Sequence, residues 1–425
     1  MSSIKKIIKR FSLLVMAVMA LALMVTGCSK SEPTEASKPV TITFWHTHNA
    51  QETPTLEAIV KDFEAKNPNI KVELQAVPFD GGQNKFKTAA QAGNAPDVFR
   101  SECAWTPQFA ALGLLAPIDD LVTAEDKADF LPVAAAAYQF KGKTYGLPQV
   151  TDALALLYNK KMFQEAGVAV PKTMDEFLAV AQKLTNKDKG QYGFAMRGDS
   201  YWVQPFVWAF GGGLIDINDL SVQINNAGSV KGLQFVIDLK DKYGVIPNEM
   251  DFANDYQNVM VGFKSGKYAM ILNGPWATAD LLADGEFKDA NNLGIAVIPA
   301  GPEGKFGSPM GGHGFVISAN TKNREAAYKL IQFVTSKENE AKFASANNLL
   351  PARKSAYDLD ELKNNRIISD FKAVVEKATA RPMIPEGGEI YTEFTPNYQA
   401  ALAGKKTAQQ AWDDVAAAWN KLLKK

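Results

Sequence analysis

The 425-residue chain is 46% hydrophobic and 22% charged, an ordinary globular composition and too long for a single compact core, so two domains or lobes are expected. Lys+Arg and Asp+Glu both number 46, which excludes the basic surplus of a nucleic-acid binder. Two cysteines and three histidines leave little for a disulfide framework or a structural zinc site.

The charges are uneven at the start. Lys5, Lys6, Lys9 and Arg10 precede the first acidic residue, Glu32; without these four, 42 basic residues face 46 acidic ones, a net charge of −4. An apolar run of 16 residues, Phe11–Thr26, follows the basic segment. It is short for a membrane span and suits the apolar region of a secretion signal. The run leads into Val25-Thr26-Gly27-Cys28, small residues before a cysteine, as in the lipobox of bacterial lipoproteins. That likeness implies cleavage before Cys28 and a lipid on its thiol; the alternative is an uncleaved membrane anchor. Either places the protein outside the cytoplasm, and a lipidated Cys28 leaves Cys103 without a disulfide partner. Residues 29–39, "SKSEPTEASKP", hold no large apolar group and are expected to form a flexible tether.

From Val40, "VTITFW" alternates as a half-buried strand. Thr53-Pro54 should open a helix with Thr53 as its cap, burying Leu56, Ile59, Val60 and Phe63 on one face. "IKVELQAV" alternates again, and this close β-α-β spacing predicts a parallel α/β sheet. A helix is expected over 84–92 and a strand over 97–99. Thr173 with Glu176 reads as a capping box. In the tail, Trp412, Val415, Ala416 and Trp419 share one helical stripe, so these tryptophans should be core.

No nucleotide-binding, nucleophile-elbow or zinc-protease motif is present. His46 and His48 could face a metal only with a third ligand, and His313 is the one histidine left. Cys103 reads as a small buried hydrophobe. Paired carboxylates of a glycosidase are not excluded, though nothing singles out a pair. What recurs is an aromatic beside a chain breaker or polar group. Trp45 precedes His46, Trp105 precedes Thr106-Pro107, and Tyr201-Trp202 follow Asp199. Trp276 follows Asn273-Gly274-Pro275, and Tyr391 follows Gly387-Gly388. Loops at strand ends are where open α/β sheets place ligands. A flat ring beside polar groups suits a sugar, whose C–H face stacks and whose hydroxyls need acceptors and donors. Taken singly, each aromatic is equally a packing residue; together they favour a carbohydrate.

In order along the chain, "TITFWHTHNA", "QNKFKTAAQAGNAPDVF", "ALGLLAPIDDL", "GKTYGLPQVTDALALLYNKKMF", "KTMDEF", "MILNGPWA" and "NLGIAVIPAGPEG" resemble the maltose/maltodextrin-type extracellular solute-binding proteins of ABC importers. The resemblance implies an α/β fold of two lobes, each a sheet flanked by helices, joined by three crossovers near Thr151–Ala153, Ser308–Gly312 and Pro351–Lys354. Residues 1–27 would be the signal and 28–39 the tether. Residues 40–151 with 310–353 would form the first lobe, and 152–309 with 354–425 the second. Gly311 and Gly312 would serve as hinge residues.

By matching position, the resemblance makes Trp276 a sugar-stacking platform, Asp152 a cleft carboxylate, and Asp199, Tyr201 and Trp202 an acidic–aromatic cluster. Tyr391 would be a further platform, Gln83 and Asn84 polar cleft residues, and Trp105 and His46 additional contacts. The implied function is capture of a malto-oligosaccharide, linear or cyclic, by cleft closure and delivery to a membrane permease. No catalysis, cofactor, metal or nucleic acid is implied, and the receptor would act as a monomer. Another oligosaccharide as ligand, or a secreted glycosidase, are the alternatives.

Overall fold

Twelve strands organise the computed structural model, which describes residues 39–424. The signal 1–27, Cys28 and all but the last residue of the tether lie outside the described residues. The strands are β1 (Val40–His46), β2 (Ile70–Ala76), β3 (Val98–Glu102), β4 (Gln139–Phe140), β5 (Lys143–Thr144) and β6 (Gly146–Ala153), followed by β7 (Ala155–Asn159), β8 (Tyr192–Ala195), β9 (Tyr268–Asn273), β10 (Leu293–Ala296), β11 (Met310–Ile317) and β12 (Leu350–Pro351). They form a six-stranded sheet in the order β12-β6-β11-β3-β1-β2 and a four-stranded sheet in the order β10-β7-β9-β8; β4 and β5 make a separate hairpin. Each larger sheet is the centre of one lobe.

The predicted β-α-β start is present: β1 and β3 pair parallel, Phe44 opposite Val98. The sheets are nevertheless mixed rather than parallel. β11 runs antiparallel to both β3 and β6, and β7 runs antiparallel to β9 and β10. The reason is connectivity. β11 re-enters the first sheet from the second lobe instead of through a local helix, so nothing forces it to run with β3.

Local signals fare well where they are short-range. The helix Thr53–Lys66 buries Leu56, Ile59, Val60 and Phe63 as its periodicity requires. Its start differs: Thr53 is already helical, and the Asn49 side chain accepts from the backbone N–H groups of Gln51 and Glu52 instead. The Thr173–Glu176 capping box is formed at the helix Met174–Leu184. A second one, Thr407 with Gln410, opens the helix Ala408–Leu423. Trp412 and Trp419 on that helix are fully buried.

The chain leaves the first sheet for the second at Leu154, between β6 and β7, and returns between β10 and β11. There Ser308 Oγ donates to the Leu154 carbonyl at 2.7 Å. In the β6–β11 ladder Gly311 lies opposite Asp152 and Gly312 opposite Thr151. Gly312 has φ +146°, and a Cβ there would come within 2.5 Å of the Val150 carbonyl oxygen, so both conformation and space require glycine. After β12 the chain stays on the first lobe through Ser355, which donates to Asp129. The helix Arg366–Val375 then packs against β10 of the second sheet as well as β6 and β12 of the first. Thr379 then bonds Ser308 and Met310 through the backbone, which aims the following residues into the gap between the sheets.

Candidate functional site

Where β3 and β6 end and β11 begins, the first lobe presents charge instead of apolar surface. Glu102 closes β3, Asp152 lies near the end of β6, and Gly311 faces Asp152 so closely that a Cβ would meet Asp152 Oδ1 at 2.2 Å and Tyr201 Oη at 3.1 Å. A glycine at 311 therefore leaves room for an acid and a phenol to converge. Asp152 is 7% exposed, and among the described residues no hydrogen-bond donor reaches its carboxylate. Burial pushes its carboxyl up to about 7; Arg381 and Arg100 pull the other way, and Glu102 and Glu52 reinforce the rise.

Arg381 occupies the centre. Its guanidinium donates to the Met310 carbonyl at 2.7 Å (Nε), to the Tyr391 hydroxyl at 3.4 Å (Nη1), and to Glu102 (Nη2). Nη2 also lies 3.0 Å from Cys103 Sγ, whose thiol donates to Glu102 at 3.0 Å. Burial works against the Arg381 charge, but the Glu102 carboxylate beside it outweighs burial and raises the group well above its ordinary value, so it stays ionised. Cys103 is buried and its thiol is pushed up by burial and by Glu102, which keeps it protonated and unreactive.

The second lobe supplies the rings. Tyr201 donates its hydroxyl to the Pro309 carbonyl at 3.1 Å, and its backbone N–H donates to Asp199 Oδ1 at 2.9 Å. The Tyr391 hydroxyl accepts from Gln204 Nε2 at 3.1 Å. Trp202 is nearly buried, its indole N–H donating to the Leu272 carbonyl at 2.9 Å and one face covered by the Arg197 guanidinium at 4.1 Å. Trp276 stands edge-on to Trp202, with ring centroids 6.4 Å apart and planes at 86°. It sits in a single 3-10 turn, Pro275–Ala277, and remains half-buried. Its indole folds back over Gly274, where a Cβ would lie 2.0 Å from Trp276 Cζ3. The Gly274-Pro275 pair is thus what lets the ring lie in this pose.

The lobes meet around these groups. Gln108 donates to Glu389 at 2.6 Å, and Gln83 donates to Gln108 at 2.9 Å. Gly388 lies against the Gln83 amide, and Asn49 Nδ2 donates to the Trp276 carbonyl at 3.4 Å.

The structure thus brings together Asp152, Tyr201, Tyr391, Trp202, Trp276, Asp199 and Gln83. It does not bring in His46, which is 2% exposed against Phe44 and His48, and it leaves Asn84 exposed. Burial and then Arg100 lower His46 to about 4, so it is neutral at physiological pH. Trp105 is 7% exposed between Phe79 and Phe99 and shows no open face. Among the described residues no group of three or more His, Cys, Asp or Glu is placed to hold a metal. Sequence reasoning missed Arg381 and Glu102. The one available signal was charge in apolar surroundings: Arg100 and Glu102 two apart in a fully buried strand, and Arg381 before Pro382-Met383-Ile384.

The family model for bacterial extracellular solute-binding proteins matches residues 58–369. The chain belongs to that family. Its members are solute-binding proteins rather than enzymes, and they act outside the cell. Among the described residues no helix is long and apolar enough to cross a membrane. The GacH receptor of Streptomyces glaucescens, solved unliganded and with acarbose, is similar at 38% identity and a TM-score of 0.86. The match covers 91% of this chain and 99% of that one. The maltodextrin-binding protein MdxE of Bacillus subtilis is 29% identical, covering 96% of this chain and 95% of MdxE. The maltotriose-binding protein of Pyrococcus abyssi is 28% identical, covering 82% and 75% respectively. In this chain the polar and aromatic cluster lies between the two larger sheets.

Proposed function

We propose that the protein is the substrate-binding receptor of a carbohydrate ABC importer and captures malto-oligosaccharides by closing its two lobes. The observation that carries this reading is the convergence, from both lobes, of a buried acid without a donor (Asp152), an arginine–glutamate pair (Arg381–Glu102) and the aromatic side chains Tyr201 and Tyr391, with the half-buried Trp276 beside Trp202. A sugar offers what these groups lack. Its hydroxyls donate to Asp152, and its C–H face stacks on an indole or phenol. Proteins similar to this one are named for maltodextrin and maltotriose, which supports the same ligand class.

In this reading Trp276, Tyr391, Tyr201 and Trp202 supply or support stacking. Asp152, Asp199 and Gln83 select hydroxyls, and Gly311–Gly312 absorb the hinge motion between a lobe of residues 40–151 with 310–355 and one of 152–309 with the C-terminal segment. Ligand shifts the open–closed equilibrium because it touches both lobes only when they are closed. Cys28 carries the lipid anchor, the monomeric receptor presents its closed form to the permease, and no bond is broken.

Isothermal calorimetry tests the ligand class. Maltotriose, maltoheptaose and cyclodextrins should release heat of binding, and xylo- and galacto-oligosaccharides should not. Heat only from the latter would reassign the ligand, and shorter products after incubation with maltoheptaose would make the protein a glycosidase.

A further inference from the structure

Of the stacked pair Phe79 and Trp105, it is Phe79 that meets solvent. It follows β2 in a short loop and is 48% exposed. Its ring stacks on Trp105 with centroids 5.1 Å apart and planes at 28°, and meets His313 edge-on at 5.8 Å. Trp105 in turn lies nearly parallel to Phe99 at 6.3 Å, and Phe99 to Phe86 at 4.4 Å. Phe86, Phe99, Trp105 and Phe79 therefore form a column of flat rings running from the core to the surface, with Phe79 at its outer end.

The loop that carries the ring runs close to the same column. Gly81 turns the chain with φ +81°, and a Cβ on Gly82 would already touch Thr47 at 3.5 Å and Trp105 at 3.7 Å. The column thus fixes the plane of an apolar ring that folding leaves half in water. The neighbouring residue shows which way the loop faces. Asp80 is near enough to Asp199 of the second lobe to reinforce the upward shift that burial gives that carboxyl. The loop also leads directly into Gln83, whose amide packs on Gly388 and bonds Gln108, itself bonded to Glu389, so Phe79-Asp80 adjoins the side of the first lobe that meets the second.

We propose that Phe79, backed by Trp105, is a stacking platform on the first lobe that takes a pyranose ring beyond those held by the second-lobe aromatics, and so sets the preferred chain length. Asp80 provides the hydroxyl acceptor beside it. This rests on the malto-oligosaccharide reading above.

Calorimetry of wild type, Phe79→Ala and Phe79→Tyr with maltose, maltotriose, maltotetraose and maltoheptaose tests it. Phe79→Ala should weaken binding of the longer glucans on the order of tenfold and leave maltose almost unaffected. Phe79→Tyr, which keeps the ring, should restore the wild-type length preference. Equal affinity of wild type and Phe79→Ala for every length overturns the proposal, as does an equal loss at every length including maltose. Tighter binding by Phe79→Ala also overturns it, because Phe79 would then be a plug over Trp105. Failure of the unmodified protein to bind any α-glucan is a different result and removes the ligand reading along with the platform.

Discussion

Two tryptophan pairs in the second lobe show how differently the same side chain is used. Trp412 and Trp419 are 0% and 1% exposed, with both indole N–H groups satisfied by backbone carbonyls, of Ser229 and Ile390. Phe394 packs against both, at 5.2 and 5.1 Å between centroids. Trp202 and Trp276 instead sit at the edge of the gap between the sheets. Trp202 is pinned to Leu272 and covered by Arg197, and it buttresses a half-open Trp276. In the first pair all surface is spent on folding. In the second, one ring is locked and the other is left partly unburied, so surface remains for a partner.

Trp412→Ala should separate the pairs most strongly. Removing a fully buried indole should cost about 3–5 kcal/mol of stability, read from denaturant unfolding. Sugar affinity of the remaining folded protein should be unchanged. Trp276→Ala should do the reverse, weakening binding of maltotriose by on the order of 1–3 kcal/mol with a small change in melting temperature. A large loss of stability in Trp276→Ala, with wild-type affinity, would place it with the core pair and break the comparison.

That contrast was partly legible in the sequence, because a helical stripe is a local signal. Trp412, Val415, Ala416 and Trp419 recur at helical spacing, and their burial follows from it. The capping box at Thr173 and the apolar face of Thr53–Lys66 are local in the same way. Aromatics beside breakers are not so easily sorted. Trp105 before Pro107 and Trp276 after Pro275 look alike along the chain, yet one is enclosed in a ring column and the other half-open. Tyr201 and Tyr391 stood out only as aromatics beside a polar group or a breaker, and Asp152 was reached through family resemblance alone, since nothing nearby in sequence marks it. Arg381 and Glu102 were missed because their pairing spans 279 residues, and neither segment carries a trace of the other. Strand direction in the mixed sheets was hidden for the same reason: β11 takes its sense from a return across lobes.

The core pair lies among apolar side chains, whereas the cleft holds a titrating acid, so pH dependence should belong to the cleft. The ordinary Asp pKa of 3.8 rises to about 7 at Asp152, chiefly through burial. The folded state therefore holds this proton more tightly than the unfolded chain. Its contribution to stability is full below the ordinary carboxylate range and is lost as pH rises toward 7. The slope from this one group is at most about 1.4 kcal/mol per pH unit. Asp152→Asn should flatten the fall in melting temperature between about pH 4 and 7, measured by calorimetric scans against wild type. Parallel curves for the two proteins would mean that Asp152 ionises in the folded state much as it does in the unfolded chain.

The smallest effect expected is also the one that asks whether the pose of Trp276, rather than its presence, matters. Gly274 has φ −107° and needs no unusual backbone. What it provides is space, because a methyl there would overlap Trp276 Cζ3 at 2.0 Å. Gly274→Ala keeps the indole and its area but forces it to swing off the position it holds beside Trp202. If affinity came from apolar area alone, the variant would bind like wild type. If it comes from a ring already fixed before the sugar arrives, the displaced indole should cost about 1 kcal/mol in binding, a part of the Trp276→Ala loss. Because Gly274 lies outside the Trp412–Trp419 core, its melting temperature should move less than that of Trp412→Ala, and the two variants together separate pose from packing.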